Sequence, residues 1–409
     1  MRSNYANKGL NYLLILFAFL LPISTAMTNA AVALLILFWL IEGRWKEKYT
    51  VLKSSFPFKL FLAFILLIGL SILWSHGIEG GFWGNKSHNA IVFYFRQYIF
   101  DFMIIPIILT SMKKEFIRYI ISAFLAAILV SELMSWGIFM EWIQYKNVLP
   151  HDPSPFMHHT LYSIFLAVTI FVLLTRFFQT KTTLYKILIV LFILSAVVNL
   201  FLNGGRLGQL AFFVAIFVYT SLRYRVTAKS ILFSLLTVTV VFTIAYKVSP
   251  VFQKRMDLSV QSLQKITEGN YGSSWGTRAN ILIVAKDLVR ENPILGIGMG
   301  NAKVEFLEKA KEYPQTDFFP KLNHLHNGYM QILVETGLVG LLLFFFFIYT
   351  LLRVQIQRDE YILLVTIIII YLIGFVGEPL FFNRKPYLLF NLFVAILLFK
   401  SLYGGKKET

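Results

Sequence analysis

The 409-residue sequence contains no cysteine, and only 14% of its residues are charged. The first absence excludes disulfides and thiolate-held metal sites. The second excludes a disordered or strongly solvated chain. Short segments alternating apolar and polar residues are also missing, which excludes a membrane β-barrel. Apolar runs long enough to cross a membrane take their place and recur from the first residues to the last. With 57% hydrophobic residues, they predict an all-α polytopic membrane protein.

Twelve spans fit the pattern, at 10–26, 28–41, 58–74, 91–110, 117–143, 160–178, 185–202, 207–222, 230–248, 327–352, 360–377 and 386–403. They divide the chain into an N-terminal bundle (1–248), a long polar segment (249–326) and a C-terminal bundle (327–409). The first run follows Arg2 and Lys8 like a signal peptide. A second span follows at once, so an uncleaved anchor is expected. The net charge of +17 would suggest nucleic acid in a soluble protein; here its distribution reads as topology. With both termini inside, 21 of the 38 Lys and Arg fall in inner segments. Six fall in short outer ones (Lys86, Arg96, Lys146, Arg206, Arg384, Lys385), and the other 11 lie in or at the edge of the long segment. All seven histidines then lie at the outer face.

The long segment opens with Pro250 and the basic stretch Gln253-Lys254-Arg255, followed by a Gly/Ser-rich turn from Gly269 to Gly276. A helix is predicted from Thr277 or Arg278 to Asn292, with Thr277 as N-cap and Pro293 as stop. A second, amphipathic helix should run from Ala302 to Tyr313, closed by Pro314. Such helices would lie on the membrane or over a cavity. Between them, Gly296-Ile297-Gly298-Met299-Gly300 resembles a nucleotide loop, but no strand precedes it and no following unit fits a Rossmann fold. A turn that lets two helices pack closely is the expected role.

Several charged groups break local rules. Arg206 follows Asn203-Gly204-Gly205, outside, at the N-terminal end of a span where the helix dipole disfavours a cation. A bound anion would resolve both conflicts; an arginine reaching for headgroups or a carboxylate would also do so. Arg278 repeats the pattern after Gly276 and Thr277, and Arg96 is a third candidate near the outer end of its span. Arginines converging there would bind pyrophosphate through bidentate hydrogen bonds. His326 stands before Asn327 at the start of a long apolar helix, in the pattern His-Asn-x9-Gly-x-x-Gly that ends at Gly337 and Gly340. Its imidazole titrates near neutral pH and can act as a base. Asn327 can serve simply as helix cap, and His324 is an equal candidate for the reactive ring. Two histidines so spaced on a loop do not by themselves make a metal site, and none is expected. Asp101, Glu132 and Glu335 lie within spans and are the acids an ion-coupled transporter would need.

Together these residues resemble the O-antigen ligase family and its relatives, the O-antigen polymerases and protein O-oligosaccharyltransferases. The resemblance covers the topology of the whole chain and is sharpest from Arg206 to Gly340. The family's pattern of His, a small polar residue, nine positions and Gly-x-x-Gly matches at His326, Asn327, Gly337 and Gly340. Its arginine after the seventh span matches Arg206, although Gly-Gly stands where Ser or Thr is frequent. Its loop arginine matches Arg278, ahead of the Pro-x-x-Gly-x-Gly turn from Pro293 to Gly298.

The resemblance implies an integral-membrane, GT-C-like glycosyltransferase of lipopolysaccharide assembly in the bacterial inner membrane. It would be multi-pass, with both termini cytoplasmic and its active site facing the periplasm. It would use no cofactor, metal or nucleic acid, and would act with inversion. The donor would be a glycan on undecaprenyl pyrophosphate and the acceptor a sugar hydroxyl of lipid A core, with membrane lipids as surroundings. His326 would be the base, Arg206 and Arg278 the pyrophosphate ligands with Arg96 as a third, and Asn327 and His324 supporting residues. A polymerase or a protein transferase would share the donor and differ in the acceptor; a non-enzymatic lipid-glycan transporter would need no chemistry.

Overall fold

The computed structural model describes residues 2–78, 89–317 and 319–404, and the outer-loop residues Lys86 and His88 and the terminal Lys406 and Lys407 lie outside them. Helices dominate, and no strand occurs among the described residues. Among the described residues, ten helical segments are long and apolar enough to span a membrane. The other two expected spans are also helices, Arg206–Arg223 and Arg358–Phe375. They are of 18 residues each and carry charge at their ends, which lowers their mean hydropathy. They pack side by side, and Arg223 pairs with Asp359 where they meet at one end. His159–Gln179 and Arg384–Gly404 are largely buried inside the bundle, whereas Ala228–Val248 is peripheral and turns Leu232, Leu236 and Ile244 outward. Aromatic side chains fill the core; Phe61 stacks on Phe347 with ring centroids 4.3 Å apart.

Local signals explain most boundaries. Ser24, Ser55 and Thr227 cap the helices that begin at Thr25, Phe56 and Ala228. The expected span at 91–110 is not one regular helix. Ala90–Ser111 contains a π-helical turn at Phe95–Ile99 and a break at Met103.

The long segment differs most from expectation. The basic stretch around Arg255 lies inside a helix, Pro250–Thr267, which begins with proline at its first position and Ser249 as cap. The next helix starts a turn earlier than predicted, at Ser274, because the Ser273 hydroxyl, not Thr277, accepts the Gly276 N–H. The last is shorter, Ala302–Ala310. These helices enclose a small apolar core of their own that includes Ile281, Leu288, Ile297, Phe306 and Leu325. Val334 of the Gly328–Leu352 helix completes it and joins the segment to the bundle.

The two glycine motifs of the sequence interlock. Gly337 takes φ +63° inside the Gly328–Leu352 helix and breaks its hydrogen-bond ladder. The N–H groups of Leu338 and Val339 then donate to Pro293 O and Ile294 O, at 2.9 and 3.2 Å. In return Ile297 N–H donates to Val334 O at 2.8 Å. A Cβ at Gly337 would lie 2.2 Å from Ile294 O, and one at Gly296 would lie 2.5 Å from Val334 O. Gly296–Gly300 is buried in this joint, which fits the close-packing role and leaves its amides no phosphate to cradle.

Candidate active site

The interlocked joint holds the start of the Gly328–Leu352 helix against the segment that precedes it, and a cavity of about 510 Å³ opens beside that start. Its lining comes from sequence-distant pieces at one end of the bundle: the starts of His159–Gln179 and Arg206–Arg223, the helix start at Ser274–Arg278, the turn before Gly328, and the connection from Gly377 to Asn383. Arg206, Arg278, His324 and His326 therefore share one cavity.

On the cationic wall, Arg206 and Arg278 both donate to the Ser274 hydroxyl, at 3.2 and 3.0 Å. Arg206 also donates to Ser259 Oγ at 2.9 Å. Arg255 stands beside them, with one of its guanidinium nitrogens near Gly204. Among the described residues, no carboxylate oxygen lies within 4.0 Å of the guanidinium nitrogens of these three arginines. Arg278 Nε and the indole N–H of Trp275 are buried without a hydrogen-bond partner. Three clustered cations and two unused buried donors suit an anion with several oxygens.

Facing them is a histidine–carboxylate group. His324 Nε2 lies 3.1 Å from Glu378 Oε1, and His326 Nδ1 lies 3.5 Å from Glu378 Oε2. The His326 N–H donates to His324 Nδ1 at 3.1 Å, so a neutral His324 carries its proton on Nε2 and gives it to Glu378. The same logic turns the Nδ1 edge of His326 to the carboxylate and leaves its Nε2 as the basic atom. Burial would raise the Glu378 carboxyl, but its two imidazole partners outweigh that and hold it well below the usual glutamate range. Burial lowers the His326 imidazole from its ordinary value of 6.5, with Glu378 opposing, so the ring is largely neutral at pH 7. His326 has φ +49°, a left-handed conformation uncommon for residues other than glycine. Asn327 fixes the turn by accepting the Met330 N–H at 2.9 Å and donating to Val376 O at 3.1 Å.

A second pair, not anticipated from the sequence, stands at another wall, with His159 of the pair lining the cavity. Asp152 Oδ2 lies 2.6 Å from His159 Nδ1, and its Oδ1 accepts the Gly204 N–H at 2.9 Å. The carboxylate thus ties the cavity histidine to the turn that presents Arg206. Burial works against its ionisation, yet the bonds from His159 and Gly204 hold its pKa below the ordinary aspartate value.

Arg96 is exposed on the broken span and is not part of this lining. The acids considered for transport have structural partners. Asp101 binds Arg384 at 2.6 and 3.0 Å, Glu132 accepts from Ser195, and Glu335 accepts from Gln331. His324, His326 and Glu378 offer three ligand atoms within 4.8 Å, enough to hold a metal ion. Such an ion would have to displace the His324 proton that now serves Glu378.

Residues 189–345 match the family model described as O-antigen ligase, which spans Arg206, Arg278 and His326 together. No curated protein matches the chain.

Proposed function

We propose that this membrane protein, whose residues 189–345 match the O-antigen ligase family model, transfers a glycan from undecaprenyl pyrophosphate to a sugar hydroxyl of lipid A core. The reaction takes place on the periplasmic face of the bacterial inner membrane, with both chain termini in the cytoplasm. The observation that carries this reading is the convergence of Arg206 and Arg278 on one hydroxyl, without a carboxylate partner, in the cavity that also holds His326.

The pyrophosphate of the donor lies against Arg206, Arg278 and Arg255 and displaces their bonds to Ser274. The acceptor hydroxyl oxygen attacks the anomeric carbon from the side opposite the pyrophosphate. Its proton passes to His326 Nε2 as the new C–O bond forms. The bond from the anomeric carbon to the phosphate oxygen breaks, and its electron pair leaves with the pyrophosphate. The arginines stabilise that developing charge. A single displacement inverts the anomeric configuration. Glu378 acts as a positioning residue, since it orients the imidazole and stabilises the imidazolium that forms. His326 then returns its proton to solvent. The donor linkage itself supplies the free energy, so no nucleotide enters the scheme.

The test is transfer by the purified chain in vesicles, without nucleotide or added metal, from a polyprenyl-pyrophosphate glycan. Lipid A core, a second lipid-linked glycan and a protein acceptor are supplied side by side. Product on lipid A core, lost in His326→Ala, supports the ligase reading. Product on another acceptor retains the chemistry and overturns the acceptor, while no transfer to any of them overturns the enzyme.

A further inference from the structure

At the opposite end of the bundle, the helices enclose a second cavity of about 620 Å³. The His159–Gln179 helix, whose first residue lines the candidate active site, brings Arg176 to this cavity at its other end. Arg176 lies 17 positions along the helix from His159, a rise of about 26 Å.

The mouth carries four cations, Lys114, Arg118, Arg176 and Lys400, against two carboxylates, Glu115 and Glu360. Glu360 is occupied by Lys400. Lys114, Arg118 and Arg176 have no carboxylate within 4.0 Å among the described residues. Arg176 is held instead by Ser122 Oγ at 3.0 Å and by Arg118 O at 3.1 Å, which keeps the two guanidinium-bearing residues together. The interior is apolar, with Ile117, Val172, Leu363, Phe393 and Leu397. A second crevice of about 280 Å³ shares Arg176 and Thr180 with the first and runs on over Leu125, Leu129, Leu188 and Phe192. Arg176 thus stands between two apolar grooves, with Lys114 and Arg118 beside it at the mouth of the first.

We infer that this is a binding site for an anionic two-chain phospholipid, its phosphate on Arg118, Arg176 and Lys114 and one acyl chain in each groove. Charge complementarity selects the headgroup, because three cations lack a protein counterion. The paired grooves select a lipid over a free anion, since only a lipid covers apolar walls on both sides of the phosphate. The inference does not depend on the glycan-transfer reading.

Native mass spectrometry of the full chain, taken from vesicles of equal phosphatidylglycerol and phosphatidylcholine, tests it. Retained phosphatidylglycerol should exceed phosphatidylcholine, and the excess should fall about fivefold for each cation removed. Arg118→Gln with Arg176→Gln is the principal variant. Lys114→Gln, at an exposed position, gives the same reading if the double variant does not fold. Ala126→Trp fills the second groove without altering charge and should also release the lipid. Equal retention of the two lipids, or an excess unchanged in the charge variants, overturns the site. Unchanged retention in Ala126→Trp overturns the two-groove seating. Inorganic phosphate raising thermal stability as much as phosphatidylglycerol would make this an anion site only, and that also overturns the inference.

Discussion

His326 and Glu378 face each other at 3.5 Å across two helix connections, slightly beyond hydrogen-bond reach. Binding of substrate needs only a small closure to make this bond, a tightening common in active sites. If His326 is the base, His326→Ala should lower transfer by about 10²–10⁴-fold with little change in donor affinity. Full activity in that variant removes the proposed role.

The pH dependence follows from the same pair. Burial lowers the His326 pKa below 6.5, so the ring is neutral and competent at pH 7. Activity should decline only as acid protonates it, with the acid limb of kcat/KM below pH 6.5. Glu378 favours the charged imidazole, so Glu378→Gln should move that limb to still lower pH while reducing kcat. An acid limb that stays in place in Glu378→Gln would show that another group titrates.

Arg206 and Arg278 should behave as a unit because they share Ser274. Each alanine variant should lose about 10²–10³-fold in transfer, and the double variant less than the product of the two. Lysine should restore only part, since it offers a point charge in place of a planar fork. Initial rates over a range of donor concentrations decide this; independent, multiplicative losses would contradict a common pyrophosphate ligand.

What was legible in the sequence is what broke a local rule. Arg206 stands at a helix start where a cation is disfavoured, Arg278 was expected at one and lies instead a turn inside Ser274–Glu291, and His326 adjoins a capping asparagine. Each could be singled out without knowing its neighbours. Glu378 could not, because its significance comes from two histidines far away in sequence; Glu378-Pro379 in a short outer connection was the only local sign. Asp152 and His159 were hidden similarly, being ordinary polar residues until the fold joins them to Gly204. The helix from Pro250 had a readable start, Ser249-Pro250, which the basic residues after it obscured. The π-turn at Phe95–Ile99 leaves no mark in an apolar pattern, since hydrophobicity reports burial and not the hydrogen-bond ladder.

The interlock at Gly337 gives a stability prediction. Gly337→Ala places a Cβ against backbone at Ile294, whereas Gly269, also with positive φ (+74°), has open space around it. Gly269→Ala should cost about 1–2 kcal/mol from handedness alone. Gly337→Ala carries that cost and the clash as well, and it should also impair transfer by shifting the helix that His326 precedes. Thermal unfolding in detergent compares them; equal destabilisation would mean that the joint yields freely.

Asp152 links the two sides of the cavity chemistry, since one oxygen holds His159 and the other holds the turn that presents Arg206. Asp152→Asn retains an acceptor for Gly204 but directs an N–H toward His159 Nδ1, which reverses the tautomer the carboxylate favours. Transfer should fall by about an order of magnitude or more, as for the loss of an orienting partner. His159→Ala combined with Asp152→Asn should add little to either single change if the pair acts as one element. The donor KM separates the two routes. A raised KM traces the loss to the Arg206 turn, and a lowered kcat at constant KM traces it to the His159 ring. Unchanged transfer in both single variants would leave the pair with a purely structural role.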